Sequence, residues 1–158
     1  MNATLRSSLL VLSALFGLLA ACAAPEQGVP PPGLAGSWVG EGNVNVEWVS
    51  RRRLSVALDI TPYGSVTGRV GDARLVDARV RSNRNDLGRG LGLWTDWIVE
   101  GRLEGELLAD EAFVAQRVSI PFDVVAGRLV GRVHAEGAFL DGRRGGRLDA
   151  IEMTLVRR

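Results

Sequence analysis

The chain has 158 residues, and its 19 basic residues are all arginine, set against 18 Asp and Glu. Arg6 lies within the first 21 residues, which hold no acid, so the rest of the chain is balanced at 18 against 18. The clustered positive excess that sequence-independent nucleic-acid binding needs is therefore missing. A single cysteine, Cys22, excludes an intrachain disulfide, a zinc cluster and a dithiol pair, and with one histidine no metal or other cofactor is expected.

Asn2 to Arg6 is short, polar and positive, and Leu9 to Leu19 is apolar. That length suits the core of a secretion signal, whereas a membrane-spanning helix needs about twenty residues. The run ends in Leu19-Ala20-Ala21-Cys22, which resembles the lipobox of bacterial lipoproteins. The resemblance implies that residues 1–21 are an α-helical signal peptide, removed by a peptidase that cuts before Cys22. It also implies that the Cys22 thiol takes a diacylglycerol and that the new amino group is acylated, with fatty chains such as palmitate. Ala23 stands where an Asp would hold an enterobacterial lipoprotein on the inner membrane. The resemblance thus implies an outer-membrane anchor facing the periplasm. Ala23 to Gly33 has four prolines and no apolar period, so residues 22–35 read as an extended tether.

From Gly36 onward the period is two, the mark of half-buried antiparallel strands. Trp38, Gly40, Gly42, Val44, Val46 and Trp48 share one parity, and Leu54, Val56, Leu58 and Ile60 share the next. Trp97, Val99, Gly101, Leu103, Gly105 and Leu107 stand opposite Glu100, Arg102, Glu104 and Glu106. Val118, Ile120, Phe122 and Val124 come next, then Gly127, Leu129, Gly131, Val133 and Ala135, and finally Ile151, Met153 and Leu155. Pro62-Tyr63-Gly64, Gly71-Asp72, Ala126-Gly127 and the Gly-rich stretch from Asp141 to Gly146 supply turns. Residues 36–158 are expected to be one all-β domain of about eight strands, an up-and-down barrel or a barrel-like sandwich. The charged outward parity argues against a barrel that crosses a membrane. Gly-Arg-Leu-x-Gly occurs at Gly101 to Gly105 and again at Gly127 to Gly131, with a shorter relative at Gly68 to Gly71. Both glycines of each longer segment fall on the inward parity, where bare backbone lets a strand bend or a ring pack. Trp38, Trp48 and Trp97 are the rings available.

Gly36-Ser37-Trp38 resembles the Gly-x-Trp that opens lipocalins and related calycin barrels. The resemblance implies that Trp38 plugs one barrel end and that a last-strand arginine, Arg157 or Arg158, packs over it. It also implies carriage of a small hydrophobic ligand. Some bacterial inhibitor proteins are similar small barrels, which implies a protein partner instead.

Little else carries chemistry. His134 shares parity with Arg128, Arg132 and Glu136 and is expected to point to water. Gly88 to Gly92 lacks the Lys-Ser/Thr and helix start of a phosphate loop. Arg51-Arg52-Arg53 reads as a solvated hairpin edge, and Asp110 with Glu111 as a turn. The longest irregular stretch, Ser82 to Trp94, is followed closely by Trp97. Loops on a rigid barrel carry binding, and exposed tryptophans are typical contacts. Arg84, Asp86, Arg89, Trp94 and Trp97 are therefore the candidate partner-binding residues. The expected role is that of a lipid-anchored envelope protein that binds or supports, without catalysis. The alternatives are a calycin-like carrier of a small hydrophobic ligand and an inhibitor of an envelope enzyme.

Overall fold

A computed structural model describes residues 30–83, 95–142 and 145–158. Eight strands form, β1 (Gly36–Val44), β2 (Arg53–Ile60), β3 (Ser65–Val70), β4 (Ala73–Ser82), β5 (Trp97–Glu104), β6 (Phe113–Val125), β7 (Arg128–Phe139) and β8 (Gly146–Arg157). Each pairs antiparallel with the next, and β8 returns to β1 from Trp38↔Arg157 to Val44↔Ala150. The up-and-down barrel expected from the alternation is closed.

The interior parity is apolar throughout. Leu54, Val56, Leu58 and Ile60 of β2 are buried at strict period two. Elsewhere the period slips. In β4, Ala73 and Leu75 face in and then Ala78 and Val80, with the register shifting between Val76 and Arg79. Asp77 takes the extra position at φ +51°. In β6 the inward set passes from Phe113 and Ala115 to Val118, Ile120 and Phe122 across a shift between Ala115 and Arg117. In β8 it passes from Leu148 and Ala150 to Met153 and Leu155 around Glu152 at φ +54°. A bulge adds one residue, flips the parity and sharpens the bend that closure needs. These bulges interrupt the period of two expected from Gly36 onward. β4 has no unbroken alternation, so period two alone does not reveal it as a strand. Ile151 is half-exposed, while Ala150 takes the core position.

Two long alternations also end early. β1 stops at Val44, where the Val44 and Asn45 amides bond to Arg52 and Asp149 carbonyls. β5 stops at Glu104, and Gly105 at φ +93° turns the chain so that both Leu107 and Leu108 reach the core. The expectation of two inward glycines per Gly-Arg-Leu-x-Gly is corrected as well. Gly105 and Gly127 are turn residues with positive φ. Gly101 and Gly131 are the inward ones. A Cβ on Gly101 would lie 2.5 Å from that of Ala78, and one on Gly131 would lie 2.1 Å from the Pro121 carbonyl oxygen. The nearest neighbours over Gly101 are thus Ala78 and Leu75.

Ala126 and Gly127 join Val125 to Arg128 with φ of +50° and +75°. Positive φ at both centres is the tight hairpin turn that matches strand twist, and alanine is ill suited to the first position. Ala126→Asn should raise the unfolding free energy by about 1 kcal/mol, read as a higher urea midpoint at unchanged slope. A lower midpoint would show that the turn is not of this type.

Candidate functional site

Antiparallel order sorts the connections to two ends. One end gathers the start of the described chain at Pro30, the β2–β3 and β6–β7 hairpins, the β4–β5 connection and the C-terminus. The other gathers the β1–β2, β5–β6 and β7–β8 loops with the Gly71-Asp72 turn. A tryptophan closes each, Trp38 the first and Trp48 the second, and the ends take their names from these rings.

At the Trp38 end, Pro31 leads into a single 3₁₀ turn at Pro32–Leu34, which lays Leu34 over the barrel mouth, fully buried. Trp38 is 2% exposed, and its Nε1–H donates to the Leu34 carbonyl at 2.9 Å. The Arg157 guanidinium lies 5.0 Å from the Trp38 ring centre and donates from Nη2 to the carbonyls of Gly33 and Ala35. The choice left open by the sequence thus falls on Arg157, the β8 residue paired with Trp38. Residues 30–35 of the expected tether include this lid.

At the Trp48 end, Trp48, Phe113 and Phe139 form a triangle with ring centres 5.1–5.3 Å apart. Arg51 bridges Asp72 and Asp110, each at 2.9 Å, and the Ala109 amide donates to Asp72 at 3.0 Å. Three connections are tied by this one guanidinium. Glu111 accepts from the Ser50 amide at 2.7 Å, and Arg53 pairs with Glu41 at 2.8 Å. Arg51 and Arg53 therefore act as structural ties. Between the two ends, every buried side chain among the described residues is apolar.

The lipobox, Leu19 to Cys22, lies outside the described residues, as do Arg84, Asp86, Arg89 and Trp94 of the candidate loop. Trp97 is described. It opens β5, pairs with Ser82 and Phe122, and packs half-buried on the core. The base of the loop is pinned by the Asn83 amide on the Asp96 carbonyl at 2.9 Å and by the Asp96 amide on Asp123 at 2.6 Å. Of the candidate residues, Trp97 alone can be placed, as a packing residue at the Trp38 end.

Sequence reasoning missed one polar row. Glu100, Ser119, His134 and Asp149 stand side by side across β5, β6, β7 and β8 on the outer wall. Glu100, Ser119 and His134 border a shallow cleft of about 510 Å³ that Arg117, Glu136 and Arg147 also line. His134 Nδ1 contacts Asp149 Oδ1, and Arg147 Nε donates to the same oxygen at 2.8 Å. Arg147 Nη2 also stands 2.8 Å from Nδ1. One nitrogen cannot both donate to the carboxylate and accept from the guanidinium. The carboxylate favours the donating form. Among the described residues no hydrogen bond joins Ser119 to His134, its neighbour across β6 and β7. His134 faces outward as expected, but with a partner that only the β7–β8 register could reveal. No group of three His, Cys, Asp or Glu among the described residues could hold a metal ion.

Three carboxyls are held below their usual range: Glu104, by its hydrogen bond to Arg74 and that guanidinium's charge, and Asp72 and Asp149. The Ala109 amide does most for Asp72, against the opposing effect of burial and with help from Arg51. For Asp149, burial pushes upward, and the hydrogen bonds and charges of His134 and Arg147 outweigh it. A depressed carboxyl contributes stability that is complete above its unfolded value, near pH 4, and is lost as pH falls through its folded value. The difference in unfolding free energy between the parent and Asp72→Asn should therefore shrink as pH drops below about 4. A difference that stays constant down to about pH 2.5 would contradict the Asp72 assignment. Arg157→Met should lower stability by about 1–2 kcal/mol through loss of the ring contact and the two carbonyl bonds. Equal urea midpoints would show that the guanidinium does not hold the plug.

Compared with known proteins, the chain matches no family model, no curated protein and no solved structure.

Proposed function

We propose that this is a lipid-anchored protein of the bacterial cell envelope, held at Cys22 on the outer membrane and facing the periplasm, with a non-enzymatic binding or structural role. One observation carries the reading of how it works: the barrel interior is occupied. Trp38 and Leu34 fill one end, Trp48, Phe113 and Phe139 the other, and the described side chains between them are apolar and packed. A carrier of the calycin type needs a cavity of at least about 300 Å³. The packing against Gly101 and Gly131 gives that reading less support. Recognition then belongs to the outer surface and the end loops. An inhibitor of an envelope enzyme would use the same surface, with the barrel as a rigid stand.

Crosslinking in native envelopes, followed by mass spectrometry and by extraction of co-purifying lipid, tests this directly. The mature chain should begin at an acylated Cys22 and crosslink to a protein. Trp94→Ala, or deletion within Asn83 to Gly92, should weaken the crosslink while the barrel stays folded. A hydrophobic molecule recovered in stoichiometric amount from the barrel would overturn the reading in favour of carriage. An unmodified Cys22 thiol would overturn the anchor.

A further inference from the structure

The described chain enters the barrel at the Trp38 end, so a leash from Cys22 joins it there. Pro30 is buried on the β2–β3 hairpin, so close that a Cβ on Gly64 would come within 2.8 Å of its ring. Only eight peptide units separate Cys22 from Pro30, a reach of at most about 28 Å even when fully extended. To present the Trp48 end to the bilayer, this leash would have to run back along the full height of the wall, about 20 Å of strand plus the loops.

The surface at the Trp38 end has the composition that suits such a position. Tyr63, at the tip of the β2–β3 hairpin, is 89% exposed. Val125 at the β6–β7 hairpin and Val156 near the end of β8 are exposed too, at 53% and 44%. Arg128 pairs across the hairpin with Val125, and Arg158 closes the chain two residues beyond Val156. Both are exposed, and neither has an ion-pair partner among the described residues. Aromatic and aliphatic tips beside uncommitted guanidiniums match the boundary between headgroups and acyl chains, with the arginines directed to anionic lipid. The Trp48 end differs. Its connections carry Glu47, Asp72, Glu106, Asp110, Glu111 and Asp141 against Arg51, Arg52, Arg143 and Arg144, an acidic excess, and its exposed apolar side chains are Leu140 and, in part, Trp48, whose ring packs on Phe113 and Phe139.

We propose that the barrel stands on the anionic bilayer surface by its Trp38 end, with Tyr63 and Val125 at the interface and Arg128 and Arg158 on lipid headgroups. The Arg51–Asp72–Asp110 end then points away from the membrane. The proposal rests on the Cys22 anchor, and its test separates the two. Acylation occupies the only cysteine, so a single introduced thiol can carry a fluorophore on the full lipidated chain. Tyr63→Cys, Val125→Cys and Glu47→Cys are labelled and reconstituted in phosphatidylethanolamine–phosphatidylglycerol vesicles containing a headgroup-nitroxide lipid. Quenching should be severalfold stronger at positions 63 and 125 than at 47. Equal quenching at all three, or the strongest at 47, overturns the docking while flotation of the chain with the vesicles leaves the anchor standing. Failure to float overturns both. Arg128→Glu with Arg158→Glu should lower the quenching at 63 severalfold without loss of flotation, and unchanged quenching would overturn the assignment to anionic headgroups.

Discussion

An eight-stranded barrel encloses a space just wide enough for side chains to fill, and that space must be either packed or wetted. Here it is packed with apolar groups only, and much else in the molecule answers to that constraint. Closure requires strands to coil more tightly than regular pleating allows, so β4, β6 and β8 each take a bulge. Asp77 and Glu152 adopt left-handed conformations to do so, a cost of roughly 1 kcal/mol each that the restored inward parity offsets. At Gly40, Gly68, Gly131 and Gly137 a Cβ would lie 2.0–2.1 Å from a facing carbonyl oxygen, so only glycine leaves room.

A filled apolar barrel still has two mouths through which water could enter. Each is shut by aromatic surface and then held by an arginine. Arg157 spans Trp38 and the carbonyls of Gly33 and Ala35, so the chain leading into β1 is fixed to the strand that ends the fold. Arg51 joins three connections at the opposite end through Asp72 and Asp110. The exposed ion pairs on the wall, such as Arg74 with Glu104 and Arg53 with Glu41, run between adjacent strands. Each is exposed and screened by water and so adds little to stability, but like charges directly opposite would be unfavourable, so they favour this register over its neighbours.

A packed interior moves the question of function to the surface. The barrel then becomes a rigid body whose ends differ in kind. One gathers the start of the described chain, two hairpin tips and the exposed Arg128 and Arg158; the other gathers loops that carry both acids and arginines, three of them tied through Arg51. Such polarity gives an anchored protein a direction, and it does so through chain topology, because antiparallel order puts the N-terminus and the C-terminus of an even-stranded barrel at one end.

The sequence alone determined the class of fold and the identity of most inward residues, because a period of two is a local property of a half-buried strand. β2 from Leu54 to Ile60 is legible for that reason, and the Gly71-Asp72 and Ala126-Gly127 turns are legible from Gly71 and Gly127, which take positive φ at no steric cost. The resemblance of Gly36-Ser37-Trp38 to Gly-x-Trp also implied that Trp38 is a plug with an arginine above it. The choice of Arg157, the exchange of Ile151 for Ala150 in the core, and the meeting of His134 with Asp149 all required tertiary structure. Each depends on the register of β8 against β1 or β7, which a bulge at Glu152 shifts by one residue. No local pattern announces that shift: it is fixed only when the ring of strands closes and every buried face must meet another.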